Sequence, residues 1–129
     1  MKREIKFKAK RLDGKGWVEG SLIRSTTGIK ERAYIVDNFS SMSDYSVIGV
    51  DPSTICQFTG LKDCDGKEVW EGDTLESNRK AEIFFAQGAF LIRSIDDNGK
   101  ETLHSLFNYI EWNGKLMCRV VGNKFDKEK

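Results

Sequence analysis

Residues 57–75 read QFTGLKDCDGKEVWEGDTL and carry the strongest structural signal in the chain. This segment contains five carboxylates and three single glycines, which permit backbone angles that other residues avoid. The pair Asp65-Gly66 is a turn signal between two short runs of strand-forming residues. The segment therefore predicts a β-hairpin rather than a linker, and it favours a β-rich fold around it.

The N-terminal region shows the two-residue period of a half-buried strand. Phe7 and Ala9 alternate with Lys6, Lys8 and Lys10, which predicts a strand with a basic outer face. A turn signal at 13–14 and an apolar stretch over 17–23 predict the return strand. We expect an N-terminal hairpin.

The same patterns extend over the rest of the chain. A helical spacing of Leu103, Leu106, Phe107 and Ile110 predicts one or two helical turns. A serine-rich stretch over 38–44 predicts a loop. Further short strands are expected over residues 33–36, 45–50, 53–59, 67–70, 81–85 and 90–94, with a closing strand over 116–121.

These elements predict an all-β fold with one short helix, rich in hairpins. The order of the later strands favours a small SH3-like barrel in the C-terminal half. At 129 residues the chain fits one domain, 1–129, with an N-terminal β region (1–56) and a barrel-like region (57–129) as sub-units.

Composition excludes several classes of protein. The net charge is only +1, so no global field attracts nucleic acid or membranes. No apolar run is long enough to span a bilayer, and the first residues have no signal-peptide pattern. The three cysteines fit no zinc motif, and we expect no metal and no cofactor. Reduced thiols in a cytoplasm are the simplest expectation.

The chain resembles the YopX family, small proteins encoded by bacteriophages, prophages and related mobile elements. The resemblance is carried by a Thr-Gly-Leu-Lys-Asp turn at 59–63, a Gly-Lys-Glu turn at 66–68 and a Glu-Gly-Asp strand start at 71–73. The opening strand at 3–9 and the closing Val-Val-Gly-Asn at 120–123 support it. Trp70 and Thr74 depart from the family's usual Tyr and aliphatic residues.

The resemblance implies a β-rich fold, a phage or mobile-element origin and a bacterial cytoplasm. It implies no known activity, so no catalytic residue is carried over. The signature residues are expected to form structural turns: Thr59, Gly60, Asp63, Gly66, Gly72 and Asp73.

The carboxylates of the central segment also admit a metal or acid–base interpretation. They are Asp63, Asp65, Glu68, Glu71 and Asp73. Hard cations need several converging oxygen ligands, and the spacing here does not match a calcium loop. Asp side chains bind local backbone N–H groups in turns, which explains the pattern more simply. We therefore favour turns and keep a metal-dependent hydrolase as the weakest alternative.

No catalytic set is visible elsewhere. His104 is the only histidine, and its neighbour Ser105 would not face it on a helical turn. We expect His104 to be a surface or half-buried residue of the short helix. The glycines form no phosphate-binding loop. The chain is predicted not to be an enzyme.

The basic hairpin is the best binding feature of the sequence. Lys6, Lys8, Lys10 and Arg11 form a cationic run, and Trp17 on the partner strand offers a stacking surface. Single-stranded nucleic acid binds such combinations of cations and aromatic rings. The interpretation we favour is structural: edge strands carry lysines to block aggregation, while Trp17 and Phe7 fill the core.

The leading functional hypothesis is a non-enzymatic interaction module that self-associates, with an unknown phage or host protein as a further partner and no membrane. Most aromatic residues are expected in the core, namely Trp70, Trp112, Phe84, Phe85, Phe90 and Phe107. Phe84 and Phe85 must point to opposite faces of a strand, however, so one lies on an outward patch. Nucleic-acid binding by the basic hairpin is the alternative.

Overall fold

The computed structural model describes residues 4–25, 31–37, 46–76, 80–111 and 114–126. The predicted loop over 38–44 and Trp112 lie outside these residues. The described chain is almost entirely β, as predicted, and it divides into two compact units, Met1–Phe58 and Thr59–Lys129. The division falls two residues beyond the predicted sub-unit boundary.

The first unit contains five strands. They are β1 (Phe7–Lys10), β2 (Trp17–Ser25), β3 (Arg32–Asp37), β4 (Ser46–Val50) and β5 (Cys56–Lys62), which continues into the second unit. All the described pairings are antiparallel, in the order β4-β3-β2-β1-β5. The predicted N-terminal hairpin is confirmed, and β1 has a paired strand on each side.

The far edge of β4 returns to the end of β1. Arg11 forms an antiparallel bridge with Val50, and the Leu12 N–H donates to the carbonyl of Gly49 at 3.1 Å. The Asp51 N–H donates to the carbonyl of Lys10 at 2.9 Å. These bonds fold the sheet around a core of Ala9, Val18, Ala33, Ile35 and Val50.

The strand predicted over 53–59 starts later than expected. Pro52–Thr54 is a 3₁₀ helix, capped by Asp51, whose side chain accepts from the Ser53 N–H. The Thr54 hydroxyl accepts from the Lys10 N–H at 2.8 Å, which fixes this turn against β1. Within the strand, Cys56 and Phe58 lie on one face and are buried.

The second unit holds a five-stranded antiparallel sheet in the order β10-β9-β8-β7-β11. Its strands are β7 (Asp73–Glu76), β8 (Lys80–Ala86), β9 (Ala89–Ile95), β10 (Glu101–Ser105) and β11 (Arg119–Asn123), and a short strand β6 (Glu68–Trp70) lies next to β5. A four-strand meander ends in a 3₁₀ helix before a last strand that pairs with the first. The SH3-like barrel stays a prediction, since among the described residues the pairings end at β10 and β11.

The prediction of a helix over residues 103–110 is wrong in part. Leu103 and His104 lie on β10, and only Leu106–Tyr109 forms a 3₁₀ helix, capped by the Ser105 hydroxyl. The apolar residues with helical spacing belong partly to a strand and partly to a 3₁₀ helix, so they do not form one helical face. Leu106 is buried, but Phe107 is 77% exposed, against the expectation that it fills the core.

The β8–β9 hairpin corrects a second core prediction. Gln87 and Gly88 both have positive φ, as a two-residue type I′ turn requires. Ile83 is fully buried, whereas Phe85, two residues on and expected in the core, is 46% exposed. Phe85 lies at the strand end and contacts Phe90 edge-on at 5.0 Å between ring centroids. Phe85 is therefore the more exposed of the two aromatic residues, although it lies on the same face of β8 as Ile83. Phe84 lies on the opposite face, with its ring against the Arg93 guanidinium.

The core of the second unit gathers residues from every strand except β10. It contains Val69, Leu75, Ile83, Ile92, Leu106, Leu116, Cys118 and Val120. No helix among the described residues is long and apolar enough to cross a membrane.

Gly20 is required by a close approach between strands. A Cβ at this position would lie 2.1 Å from the carbonyl oxygen of Val36, far inside van der Waals contact. Gly20 stands where β2 leaves its pairing with β1 and takes up pairing with β3. Only glycine permits both pairings on one continuous strand.

Replacing Gly20 by Ala should destabilise the fold by at least about 2 kcal/mol, because the new methyl group forces the backbones apart. Gly49→Ala is the control: its Cβ would meet only a Leu12 side-chain carbon at 3.4 Å, and we expect a cost below about 1 kcal/mol. Urea denaturation of both variants measures the difference. Equal stability of the two variants would contradict the close-approach argument.

Candidate nucleic-acid interface

The β1–β2 hairpin sorts its residues onto two faces. Ala9 pairs with Val18, and both are buried in the core. Lys10 pairs with Trp17 and Lys8 with Glu19, so these side chains lie on the opposite face. We call the set Lys6, Lys8, Lys10 and Trp17 the cationic strand face.

Trp17 is the centre of this face. The Lys8 ammonium lies 4.6 Å from the centroid of the Trp17 ring, and the Lys10 ammonium lies 5.0 Å from it. A cation over an aromatic face is attracted by the ring quadrupole, most strongly for Trp. The indole therefore holds two ammonium groups on the surface of one strand pair. Trp17 does not belong to the buried core of the first unit, although burial was the interpretation favoured from the sequence.

Lys6 extends the face toward β5. Its ammonium lies 4.9 Å from the centroid of the Phe58 ring, 3.3 Å from a Glu4 carboxylate oxygen and 3.8 Å from one of Glu19. The side chain is only 18% exposed. Sequence reasoning missed Phe58, which joins the face through the pairing of β1 with β5.

Arg11 is placed differently from the lysines. Its guanidinium binds the Asp13 carboxylate, with a shortest N···O distance of 2.8 Å, within the turn between β1 and β2. The hydrogen bond to Asp13 raises the pKa of Arg11, and the bond from Arg11 lowers the pKa of Asp13. Of the predicted residues, the structure thus brings Lys6, Lys8, Lys10 and Trp17 together, while Arg11 engages the turn.

Edge protection does not explain these lysines. β1 is paired with β2 on one side and with β5 on the other. Lysines that block aggregation belong on strands whose backbone is open on one side. Protection of a sheet edge therefore does not explain why β1 carries lysines.

The signature residues of the central segment lie in turns only in part. Asp63, Gly66 and Gly72 lie in the loops, whereas Thr59 and Gly60 lie within β5 and Asp73 begins β7. The Thr59 hydroxyl donates to the Val69 carbonyl at 2.7 Å and accepts from the Leu61 N–H, which ties β5 to β6 around Gly60. Asp63 and Lys67 close the loop through a backbone bond of 2.8 Å, and Gly66 takes the positive φ of its last position.

Asp63 is the most heavily bonded carboxylate of the loop. Oδ1 accepts from the N–H groups of Asp65 and Lys67 at 2.9 and 2.8 Å, and Oδ2 accepts from the Val120 N–H at 2.9 Å. The side chain is only 1% exposed. Burial raises its pKa, but the three N–H donors and the nearby Lys67 charge outweigh this, so the pKa of Asp63 lies below its ordinary value.

Asp73 has a similar position at the start of β7. Its Oδ2 accepts from the Trp70 N–H and its Oδ1 from the Asn123 side-chain amide, both at 2.8 Å. Gly72 packs against Asn123, where a Cβ would come within 3.2 Å of the amide nitrogen. The sequence analysis placed Asn123 in the closing Val-Val-Gly-Asn element but did not predict its bond to Asp73.

These contacts are those of structural turns. Asp65 pairs with Arg119 at 3.4 Å at the surface. Among the described residues, no three His, Cys, Asp or Glu side chains come together as metal ligands would. His104 lies on β10, not on a helix, and its ring contacts Tyr109 at 6.1 Å between centroids.

The loop after β9 provides a control for the loop of Asp63. Asp96 and Lys100 form the same backbone bond, and Asp96 Oδ1 accepts from the N–H groups of Asn98 and Lys100 at 2.9 and 2.8 Å. In the other loop Asp63 adds a bond to Val120, which lies 57 residues later. Comparing the two aspartates isolates that long-range bond.

Asp63→Asn should cost about 2–4 kcal/mol, whereas Asp96→Asn should cost about 1 kcal/mol or less. Asn keeps the oxygen that accepts the local N–H groups, but at position 63 its amide would face the Val120 N–H, donor against donor. Chemical denaturation of both variants tests this. An equal loss would show that the bond to Val120 adds nothing.

The lowered pKa of Asp63 also predicts a pH dependence. A carboxylate with a lowered folded-state pKa stabilises the fold above its unfolded pKa of about 3.9, and the stabilisation is lost as pH falls through the folded value. The unfolding free energy of the unmodified chain should therefore drop more steeply below about pH 4 than that of Asp63→Asn. Parallel curves over this range would exclude a role for Asp63 ionisation.

One known protein family matches nearly the whole chain. The family described as YopX protein matches residues 6–128, nearly the whole length, which includes both the cationic strand face and the central turns. No curated protein matches the chain.

Proposed function

This chain belongs to the YopX family, and we propose that it is a non-enzymatic interaction module that binds single-stranded nucleic acid on its cationic strand face. The observation that carries the proposal is the placement of two lysine ammonium groups within 5.0 Å of the Trp17 ring centroid.

The position of the lysines supports this proposal. Lys6, Lys8 and Lys10 project from a strand that is paired on both sides, where lysines are not needed against aggregation. Alternate residues of a strand stand about 6.8 Å apart, so the three lysine side chains leave the same face of β1 at regular intervals. A row of lysines follows a phosphate backbone without reading its sequence.

The aromatic residue supplies the second element of such a site. Trp17 lies on the same face as the lysines, and it is only partly buried. Stacking of a base on an aromatic side chain contributes about 1–3 kcal/mol and tolerates every base. Glu4 and Glu19 beside Lys6 reduce the local positive charge, which favours modest, salt-sensitive binding.

The setting of this function is part of the proposal. We place the protein in the cytoplasm of a bacterial cell that carries a phage, prophage or mobile element. In that setting, exposed single strands arise whenever an element is copied or transferred. A phage or host protein remains a further candidate partner.

Lys8→Glu combined with Lys10→Glu should weaken binding to all sequences. Loss of two phosphate contacts should also reduce the slope of log K against log salt by about 1.4 for single strands. Fluorescence anisotropy with labelled DNA and RNA oligonucleotides at several salt concentrations measures both effects. Lys80→Glu with Lys100→Glu is the charge-matched control on the second unit, and its binding should fall much less. Unchanged affinity of the Lys8/Lys10 variant would refute the proposal.

Trp17→Leu separates stacking from charge. We expect the binding free energy to weaken by about 1–3 kcal/mol, because a base loses the aromatic surface on which it stacks. The slope of log K against log salt should not change, because the lysines remain. Circular dichroism melts confirm that each variant is folded. A Trp17 variant that binds like the unmodified chain would leave a purely electrostatic site.

Self-association is the second candidate function. Large apolar side chains of the second unit are exposed to solvent, and the most exposed among its described residues are Phe107, Ile95, Leu103 and Met117, at 50–77%. Apolar groups that stay exposed in a folded unit are a common feature of interaction surfaces.

Sedimentation velocity over a wide range of protein concentration tests this candidate. We expect a reversible shift from monomer to a defined oligomer as concentration rises, since association depends on protomer concentration. The same series at high salt should show the shift retained, because apolar contacts are not screened. A monomer at every concentration would remove the candidate.

A further inference from the structure

We propose that the outer edge of β10 pairs with the same edge of a second copy of this chain, across a two-fold axis at Leu103. This inference rests on the self-association candidate above and identifies its surface. In this dimer, β10 of one copy pairs with β10 of the other, so that the two five-stranded sheets become one continuous sheet.

The two edges of the second sheet differ in how they are protected. β11 has an irregular register between Val120 and Gly122, and its first residue, Arg119, carries a charge paired with Asp65. Bulges and charged residues are devices that stop edge strands from pairing. β10 pairs regularly with β9 over all five residues, and Glu101 is its only Asp, Glu, Lys or Arg residue.

The sequence of β10 fits itself in the antiparallel direction. A two-fold axis perpendicular to the sheet pairs residues of the same face, so it can pass only through a residue position. Centred on Leu103, the register sets Glu101 opposite Ser105 and Thr102 opposite His104 of the second copy. It is the register that pairs all five strand residues, and it brings no like charges together.

The side chains beside the axis support the same register. Leu103 is 56% exposed and would meet its own copy at the axis. Ile95, 62% exposed, is paired with Glu101 and lies on the same face as Leu103. Arg93 binds Glu101 at 3.3 Å, so the one charge on the edge is already compensated. An edge of this kind loses little charge solvation when it pairs.

A cysteine at the axis tests the register directly. We would introduce Leu103→Cys in a Cys64→Ser background, because Cys64 is the exposed thiol and Cys56 and Cys118 are buried. Directly opposed residues of an antiparallel pair have Cα atoms about 4.5–5.5 Å apart, within the range that a disulfide spans. Under mild oxidation this variant should form a covalent dimer on a non-reducing gel. Val121→Cys, at the middle of the other edge strand and 44% exposed, should stay monomeric on that gel.

A charge at the same position tests the energetics. Leu103→Lys should raise the dissociation constant of the oligomer by at least about tenfold in sedimentation velocity, because two lysines would face each other at the axis. Val121→Lys is the control and should leave the constant unchanged. Both positions are exposed, and circular dichroism checks that each variant folds.

The outcomes separate this inference from the candidate on which it rests. A monomer at every concentration would overturn both. An oligomer that resists Leu103→Lys, with no cross-link at position 103, would overturn the β10 edge and leave self-association through another surface. A cross-link at 103 together with weakened association would support the edge and its register.

Discussion

The fold of the second unit depends on a buried carboxylate that must find hydrogen-bond donors. A buried ionised group without partners is costly, and Asp63 is almost fully buried. Its own loop supplies two donors, but Oδ2 needs a third, and the Val120 N–H supplies it. The last strand is therefore held beside the β5–β6 loop. Asp73 and Asn123 form the corresponding contact at the other end of β11. Two aspartates of the central segment thus hold the closing strand at both ends.

Local features of this arrangement could be predicted from the sequence, whereas its long-range partners could not. The Asp–Gly turns were predictable because Asp63 and Asp96 bind N–H groups two and four residues later. Val120 could not be selected, since nothing in its neighbourhood marks its N–H as a partner 57 residues away. The error over 103–110 has a similar cause. Apolar spacing alone cannot separate a helix from a strand that continues into a 3₁₀ turn.

The register of the β1–β2 hairpin decides whether Trp17 is a core residue or part of the cationic strand face. The period of two predicted that Lys6, Lys8 and Lys10 share a face, but it did not predict where Trp17 would point. That depends on the loop between β1 and β2, which pairs Trp17 with Lys10 and Val18 with Ala9. A shift by one residue would bury the indole and expose the valine. The sequence also could not show that β1 is an internal strand, because its pairing with β5 joins residues about fifty positions apart.

The two proposed surfaces would reinforce each other in one assembly. A dimer formed through β10 carries two cationic strand faces, and a single strand long enough to span them would occupy both. Binding at the second face would then be intramolecular, with an effective concentration set by the geometry of the dimer. Affinity would rise with the length of the nucleic acid, although no contact at either face changes. Each face alone has only three lysines, two carboxylates beside Lys6 and one indole, which favours weak binding. Self-association would thus be the means by which a weak, sequence-independent site gains useful affinity for long single strands over short ones.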